Sequence, residues 1–403
     1  MPKRSFYIKD SELDDYQLTI INKRRDNSFI VMGYDGSRID MALWKAKQIE
    51  NENSGSYCII VLTKTLKQYM SGGMKQIGLN DNNIDYLWNW ERKGCPLVDF
   101  IIVYEAQEFT KEEILRFRDR AKKALFLFGE PTPSSIFCPT INGRTTVSME
   151  EIAGITRFPV EHLCFNYSLP KKIARVAQYI YNANDDIEAR CKNEGIEKPY
   201  VLKYNSLEEQ LDATIKIIKD RKFEDVAILF KSNYKLEQAY YYLSKKITVE
   251  ANIRIEYPIN PYLSWHSEET EQYLKSIGTS ITDIPAHDLY IQLPEKKYEG
   301  IKYLRTSFDA QQKIIIEEKR RNIKEIDFNT NNPKLLTYYS SKGLHFEAVF
   351  LPECTDSGER NSLYIAMTRT YQSLYIMYSG KSLSLFDIVP TNLYETNLIT
   401  NVQ

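Results

Sequence analysis

The sequence has few cysteines and histidines, and it has almost no net charge. Its six cysteines are scattered over 403 residues without a CxxC pair, and its four histidines form no ligand-spaced cluster with them. A zinc site is therefore not expected, and no metal-binding residue is assigned. Because 53 lysines and arginines nearly cancel 54 aspartates and glutamates, any nucleic-acid surface has to be a local patch.

Long apolar runs are also missing from the sequence. No stretch approaches the roughly 20 apolar residues of a membrane span, and the charged first residues lack the apolar core of a signal peptide. These absences predict a cytoplasmic protein with free thiols and no membrane partner. A content of 43% hydrophobic and 27% charged residues is typical of a globular chain, and the length suits two or three domains.

Short apolar runs of strand length alternate with amphipathic helical stretches. The runs cover 29–32, 58–62, 100–103, 124–128, 227–230, 348–351 and 373–377. After the first run come a glycine-containing turn and a helical stretch over about 40–50. This alternation predicts the α/β class, with two parallel-sheet domains covered by helices on both faces.

The stretch over 251–332 differs from its surroundings. It combines several prolines with a charged segment over 309–324, which ends in EEKRRNIK. Such a run is more often a solvated helix face than a phosphate-binding patch, and both interpretations stay open. We expect an insertion that forms a reduced accessory domain. The predicted domains are 1–155, then 156–250 together with 333–403, and the insertion 251–332.

The most specific pattern lies near the C-terminus. The segment TYYSSKGLHFE over 337–347 resembles T-x-H-S-x-K-G-L-E-F-D, which is motif V of superfamily 1 helicases of the UvrD, PcrA and Rep kind. LYIAMTRT over 363–370 resembles motif VI of the same family, L-Y-V-A-x-T-R-A. Chance agreement of both motifs in this order is improbable. The resemblance implies two RecA-like domains, with ATP and Mg²⁺ between them in the family.

The other motifs of that series lie closer to the N-terminus, at suitable spacing and outside the predicted insertion. By resemblance, the cofactor contacts fall on Gln17 and Tyr167, which would contact the adenine, and on Gly33, Gly36, Ser37, Arg38 and Gly343. The contacts to a nucleic-acid backbone fall on Thr63, Lys64, Ser341 and Lys342. The expected catalytic remnants are Glu105, in the position of the family's water-activating residue, and Arg369, in the position of its arginine finger.

The residues that would hold the triphosphate and the metal depart from the family pattern. A P-loop needs a lysine and a hydroxyl at the start of its helix, and Ile39 and Asp40 stand there. Tyr104 replaces the carboxylate that holds Mg²⁺, and Ser168 replaces the arginine on the γ-phosphate. His345 replaces the glutamate of motif V. We therefore expect ATP and Mg²⁺ to bind weakly or not at all.

Ordinary structural roles compete with several of these assignments. Tyr167 can be a packing aromatic, and Thr63 can simply end a strand. Glu105 can bond to its own loop, and Arg369 can form a salt bridge between the two domains. Arg38 is the one candidate substitute for the missing lysine, although it stands where the family has a glycine.

The sequence therefore predicts a pseudo-helicase that serves as a nucleic-acid-binding or partner-binding subunit, with lost or strongly impaired ATP hydrolysis. The expected partners are single-stranded DNA, bound weakly and in a salt-sensitive way, and a second protein. A bacterial antiviral defence system or a mobile element is the setting that analogy suggests. Two alternatives stay open. One is a divergent but active ATP-dependent DNA helicase or translocase, and the other is a pure protein-interaction subunit of a nuclease or helicase complex.

Overall fold

The structure is a computed structural model that describes part of the chain. The described residues are 6, 13–24, 26–34, 36, 38–131, 144–181, 186–252, 275, 325–355, 360–380 and 383–397. The chain divides into two compact units, of which one combines Met1–Ala251 with Ile326–Gln403 and the other is Asn252–Glu325. The elements given below belong to the first unit. The charged run 309–324 lies outside the described residues, and the predicted domain boundaries stay a prediction.

Parallel strands and the helices that connect them make up the described part of the first unit. Its strands are β1 (Phe29–Gly33), β2 (Tyr57–Val61), β3 (Ile84–Tyr86), β4 (Val98–Tyr104), β5 (Ala121–Gly129), β6 (Val160–Leu163), β7 (Asn166–Pro170), β8 (Cys191–Asn193), β9 (Tyr200–Tyr204), β10 (Val226–Phe230), β11 (Glu250–Ala251), β12 (Lys334–Thr337), β13 (Phe346–Leu351) and β14 (Thr370–Ser379). Its helices are α1 (Asp15–Asn22), α2 (Arg38–Asn51), α3 (Lys64–Gln76), α4 (Leu87–Arg92), α5 (Lys111–Arg120), α6 (Met149–Thr156), α7 (Lys171–Tyr181), α8 (Leu207–Arg221), α9 (Asn233–Leu243) and α10 (Arg360–Met367).

The first sheet has the strand order β3-β2-β4-β5-β1-β6, and its strand pairings are parallel. Met32 pairs with Gly129, and Tyr104 pairs with Phe128, so β1, β4 and β5 end at the same edge. Ligand sites of parallel sheets form at this carboxyl edge. We call residues 34–40, 105–108 and 130, which follow these three strands, the first-sheet edge.

The second sheet has the order β11-β12-β10-β13-β14-β9, again with parallel pairings. Each apolar run that the sequence predicted as a strand coincides with a strand of one of the two sheets, and the helix predicted over 40–50 lies within α2. The predicted α/β class is therefore confirmed. We call residues 337–345, which connect β12 to β13, the second-sheet loop.

The first sheet is covered on both faces, as its apolar strands require. Phe29 and Val31 of β1 belong to one buried cluster, whereas Ile30 and Met32 belong to another. This alternation follows from the two-residue period of a strand. None of the helices in the described ranges has both the length and the apolar character that a bilayer span requires.

Candidate functional site

The end of β1 and the loop that follows it lie close to β6 and β7. A Cβ atom on Gly33 would lie 2.6 Å from the Cβ of Leu163, and one on Gly36 would lie 2.7 Å from the backbone nitrogen of Ser168. Gly36 also has φ +113°, which residues with a side chain rarely adopt. Glycine is therefore required at both positions by close packing within the chain. Ser37, between Gly36 and α2, lies outside the described residues.

Arg38 is the first residue of α2, and its side chain is fully buried. Two guanidinium nitrogens contact the two carboxylate oxygens of Glu105, at 3.0 and 3.2 Å, in a fork-to-fork arrangement. A longer ion pair of 3.7 Å joins Arg38 to Glu130. We call these three residues the Arg38 cluster. It gathers side chains from all three segments of the first-sheet edge.

Glu105 directly follows β4 and has a left-handed backbone with φ 57°. This conformation is uncommon for a residue other than glycine and costs conformational energy, which the surrounding contacts have to offset. The side-chain amide of Gln107 donates a hydrogen bond to the Glu105 carboxylate, and its carbonyl accepts one from the backbone of Glu130 at 3.2 Å. The carboxylate predicted to activate water is thus held by a guanidinium and an amide.

The two residues at the lysine and hydroxyl positions of the predicted P-loop are both buried. Ile39 is fully buried and packs in the larger apolar cluster, and Asp40 is 5% exposed in the first turn of α2. Tyr104, at the position of the metal-binding carboxylate, is a fully buried core residue under the Arg38 guanidinium. Within the described ranges, no three acidic, histidine or cysteine side chains cluster as metal ligands.

The two residues predicted to contact adenine are joined through Asp14. Gln17 and Asp14 form a capping box at the start of α1, with reciprocal hydrogen bonds of 3.0 Å. The Tyr167 hydroxyl donates a hydrogen bond to Asp14, and burial together with this bond raises the pKa of the Tyr167 phenol. Sequence reasoning missed Asp14, although the spacing D-x-x-Q before an apolar run is a capping signal.

Ser168 and His345, which are both predicted to depart from the family pattern, contact each other. The Ser168 hydroxyl lies 3.3 Å from Nδ1 of His345. His345 is fully buried, and its backbone N–H and carbonyl both bond to the hydroxyl of Tyr69 on α3, at 3.3 and 3.2 Å. Either group can be the donor in this contact, depending on the tautomer of the imidazole.

The second-sheet loop meets the first-sheet edge through Lys342. The Lys342 ammonium lies 3.0 Å from Glu108, and the two side chains are only 11% and 4% exposed. A Cβ atom on Gly343 would lie 3.4 Å from the Glu105 carboxylate, and Gly343 has φ +71°. Ser341 is fully buried and donates its hydroxyl to a backbone carbonyl of its own loop at 2.8 Å.

The remaining predicted residues lie at two helix ends. The Thr63 hydroxyl caps α3 by accepting a hydrogen bond from the backbone of Leu66 at 3.2 Å, and Lys64, the next residue, is half-buried. Arg369 is 5% exposed and donates to the carbonyl of Ile365 and to the hydroxyl of Thr368, each at 2.9 Å. Of the four predicted nucleic-acid contacts, Thr63 and Lys64 are therefore partly exposed, whereas Ser341 and Lys342 are mostly buried.

Comparison with known protein families finds a match in the second-sheet part of the chain. Residues 335–377 match the sequence model of the UvrD-like helicase C-terminal domain. The chain is also similar to the solved C-terminal domain of a possible DNA helicase from Lactobacillus plantarum WCFS1, with 14% identity and a TM-score of 0.33 over 58% of this chain and 99% of that chain. No curated protein matches the sequence. The segments predicted as motifs V and VI thus both lie in a region similar to the UvrD-like helicase C-terminal domain.

Proposed function

We propose that this protein is a member of the UvrD-like helicase family that has lost ATP-driven translocation and acts as a nucleic-acid-binding or partner-binding scaffold. The match over 335–377 and the two parallel sheets support the family assignment. The Arg38 cluster is the observation that carries the loss of activity. It fills the edge of the first sheet with an internal ion pair where a nucleotide-hydrolysing site needs free phosphate ligands.

The charges of the described residues do not fit a triphosphate with its metal. The first-sheet edge carries the carboxyl side chains of Asp40, Glu105 and Glu130, and the nearest guanidinium, that of Arg38, already forms ion pairs with two of them. Two like charges 4 Å apart repel by about 4 kcal/mol at an effective dielectric constant of 20. Phosphate groups would meet this repulsion, or they would have to displace a carboxylate from Arg38.

The adenine side of the site supports the same proposal. Gln17 and Tyr167 each form a hydrogen bond with Asp14, so contact with a base would require these bonds to be exchanged. With little to gain from the phosphates, adenosine should bind at least as well as ATP. We propose that any remaining nucleotide affinity is low and independent of Mg²⁺.

The scaffold function rests on the nucleic-acid contacts implied by the resemblance. Lys64 is half-buried at the start of α3, and Lys342 forms a mostly buried ion pair with Glu108. We propose weak, sequence-tolerant binding of single-stranded DNA near the start of α3, with a protein partner supplying further affinity. A net charge of −1 is consistent with modest nucleic-acid binding.

An ATPase assay in the presence of single-stranded DNA tests the proposed loss of activity. We expect turnover at background for the natural protein and for Glu105→Gln. We also expect Ile39→Lys alone to restore nothing, because Tyr104 and Ser168 still offer no ligand to metal or γ-phosphate. DNA-stimulated turnover that Glu105→Gln abolishes, and that the surface control Glu91→Gln retains, would establish the active helicase instead.

A further inference from the structure

The two sheets contact each other through apolar packing and through specific polar groups. Val31 of β1 and Val349 of β13, for example, belong to one buried apolar cluster. Here the Lys342–Glu108 ion pair bridges the second-sheet loop and the first-sheet edge with both side chains almost fully buried. Both groups have left water, and each compensates the charge of the other. The pair therefore favours the contact between the sheets as long as both partners stay charged.

Tyr69 of α3 forms a second connection between the sheets. Its hydroxyl bonds to both backbone groups of His345, and its ring packs edge-on against Phe6 and Phe328, with centroid separations of 5.2 and 5.3 Å. These bonds fix the end of the second-sheet loop just before β13. Aromatic contacts of this geometry add favourable energy beyond the area they bury.

A third connection joins the loop after β1 to the segment before β8. The guanidinium of Arg190 lies 4.0 Å from the ring centroid of Tyr34, which is within the range of a cation–π interaction. On the same side, the backbone at Gly36 approaches Ser168 too closely for any side chain. This third contact thus joins the first-sheet edge to the two-stranded sheet of β7 and β8, whereas Lys342 and Tyr69 join it to the second sheet.

We infer that Lys342 and Glu108 form an intersheet latch that helps to hold the two sheets together. The connection at Tyr69 acts with it. The latch goes beyond the proposed function, because it concerns how the two sheets are held and not whether ATP is hydrolysed. A protein held in this way would present one fixed surface to its partners.

Hydrogen exchange measured by mass spectrometry on the full chain tests the latch. We expect slow exchange in peptides covering 105–109 and 341–346 in the natural protein, with no further slowing when ATP and Mg²⁺ are added. Glu108→Gln keeps the shape of the side chain but removes its charge, so exchange in these peptides should become at least about ten-fold faster. Peptides from β1 and β10 should keep their natural rates, which separates local release from global unfolding.

Two further variants complete the test. Glu194→Gln is the matched control, because the Lys171–Glu194 pair is exposed at Glu194 and lies away from the first-sheet edge. The charge exchange Glu108→Lys with Lys342→Glu should restore slow exchange within about three-fold of the natural rate, since it restores the pair. Natural rates at 105–109 and 341–346 in Glu108→Gln would overturn the latch, as would further slowing by ATP and Mg²⁺ in the natural protein.

Discussion

The first-sheet edge and the second-sheet loop have opposite charge. Among the described residues, the first-sheet edge carries Asp40, Glu105, Glu108 and Glu130 against Arg38 alone. The second-sheet loop, residues 337–345, contains Lys342 and no acidic residue. The excess of acid on one side is therefore partly balanced by a lysine from the other, through the Lys342–Glu108 pair.

The comparison shows that fold and charge pattern are separable at this site. The second-sheet loop lies within the match to the UvrD-like C-terminal domain. The first-sheet edge keeps the strand, loop and helix order of a phosphate-binding loop, but its side chains bond to one another. Backbone order depends on apolar strands and glycines, whereas ligand binding depends on a few charges. We propose that internal pairing of those charges leaves the fold intact and changes what the edge can bind.

The largest expected effect concerns the Arg38 cluster. Arg38→Met keeps a long side chain but removes the guanidinium that Glu105 and Glu130 contact. Removing one partner of a buried ion pair costs about 3–5 kcal/mol of stability. We expect a clear fall in the thermal unfolding temperature. Arg24→Met is the control, because Arg24 and its partner Asp26 are 79% and 62% exposed and an exposed pair contributes at most about 1 kcal/mol.

Equal unfolding temperatures for Arg38→Met and Arg24→Met would contradict the buried cluster. If the fall in the unfolding temperature is intermediate, adding Glu105→Gln to Arg38→Met gives a sharper test. The double variant should be more stable than Arg38→Met alone, because the carboxylate left without its partner has been removed.

A second prediction tests the contribution of Lys64 to nucleic-acid binding. Lys64→Glu should weaken binding of a labelled single strand at low salt and reduce the log–log salt slope by about 0.7 for each phosphate that the protein no longer neutralises. Lys75→Glu, near the other end of α3, makes the same charge change at a lysine already paired with Asp81 and serves as the control. Equally weakened binding in both variants would indicate an effect of overall charge alone.

The absence of single-strand binding at low salt would have a different meaning. It would remove the nucleic-acid part of the proposal and leave the protein-interaction subunit as the better account. Lys342→Glu is less informative in this assay, because it also breaks the Lys342–Glu108 pair.

The smallest expected effect concerns the adenine side. Tyr167→Phe removes the hydrogen bond to Asp14 and should cost about 1 kcal/mol of stability. In an Asp14→Ala background the same change should cost almost nothing, because the acceptor is already gone. Chemical denaturation of the four proteins in this cycle measures the coupling. A full cost that persists without Asp14 would show that the hydroxyl has another essential partner.

The sequence predicted the central strands except β12, and it did not predict the edge strands of the two sheets. Central strands such as β4 and β10 are continuous apolar runs, because both of their faces are buried. The edge strands β3 and β6 are short and include charged residues such as Asp85 and Glu161, so they lack that signal. Edge strands need only one backbone partner, and their composition is correspondingly less restricted.

The candidate site, too, was predictable from the sequence only in part. Motif spacing was enough to place the second-sheet loop, whereas the departures at Ile39, Asp40 and Tyr104 stay a prediction. The partners of the charged residues were not predictable, because they are distant in sequence. Arg38 and Glu105 are 67 residues apart, and Glu108 and Lys342 are 234 apart. Such pairs depend on which loops the sheet order brings together, and a single sequence does not contain that information.

Thermal unfolding with and without ATP and Mg²⁺ tests the central claim most directly. A ligand that binds the folded state raises its stability with the logarithm of its excess over the dissociation constant, by about 2.7 kcal/mol at a hundred-fold excess. The account predicts that millimolar ATP with Mg²⁺ leaves the unfolding temperature unchanged and that adenosine has at least as large an effect. A rise of several degrees that needs ATP and Mg²⁺ together would contradict it, because the first-sheet edge would then bind the nucleotide that the Arg38 cluster is proposed to replace.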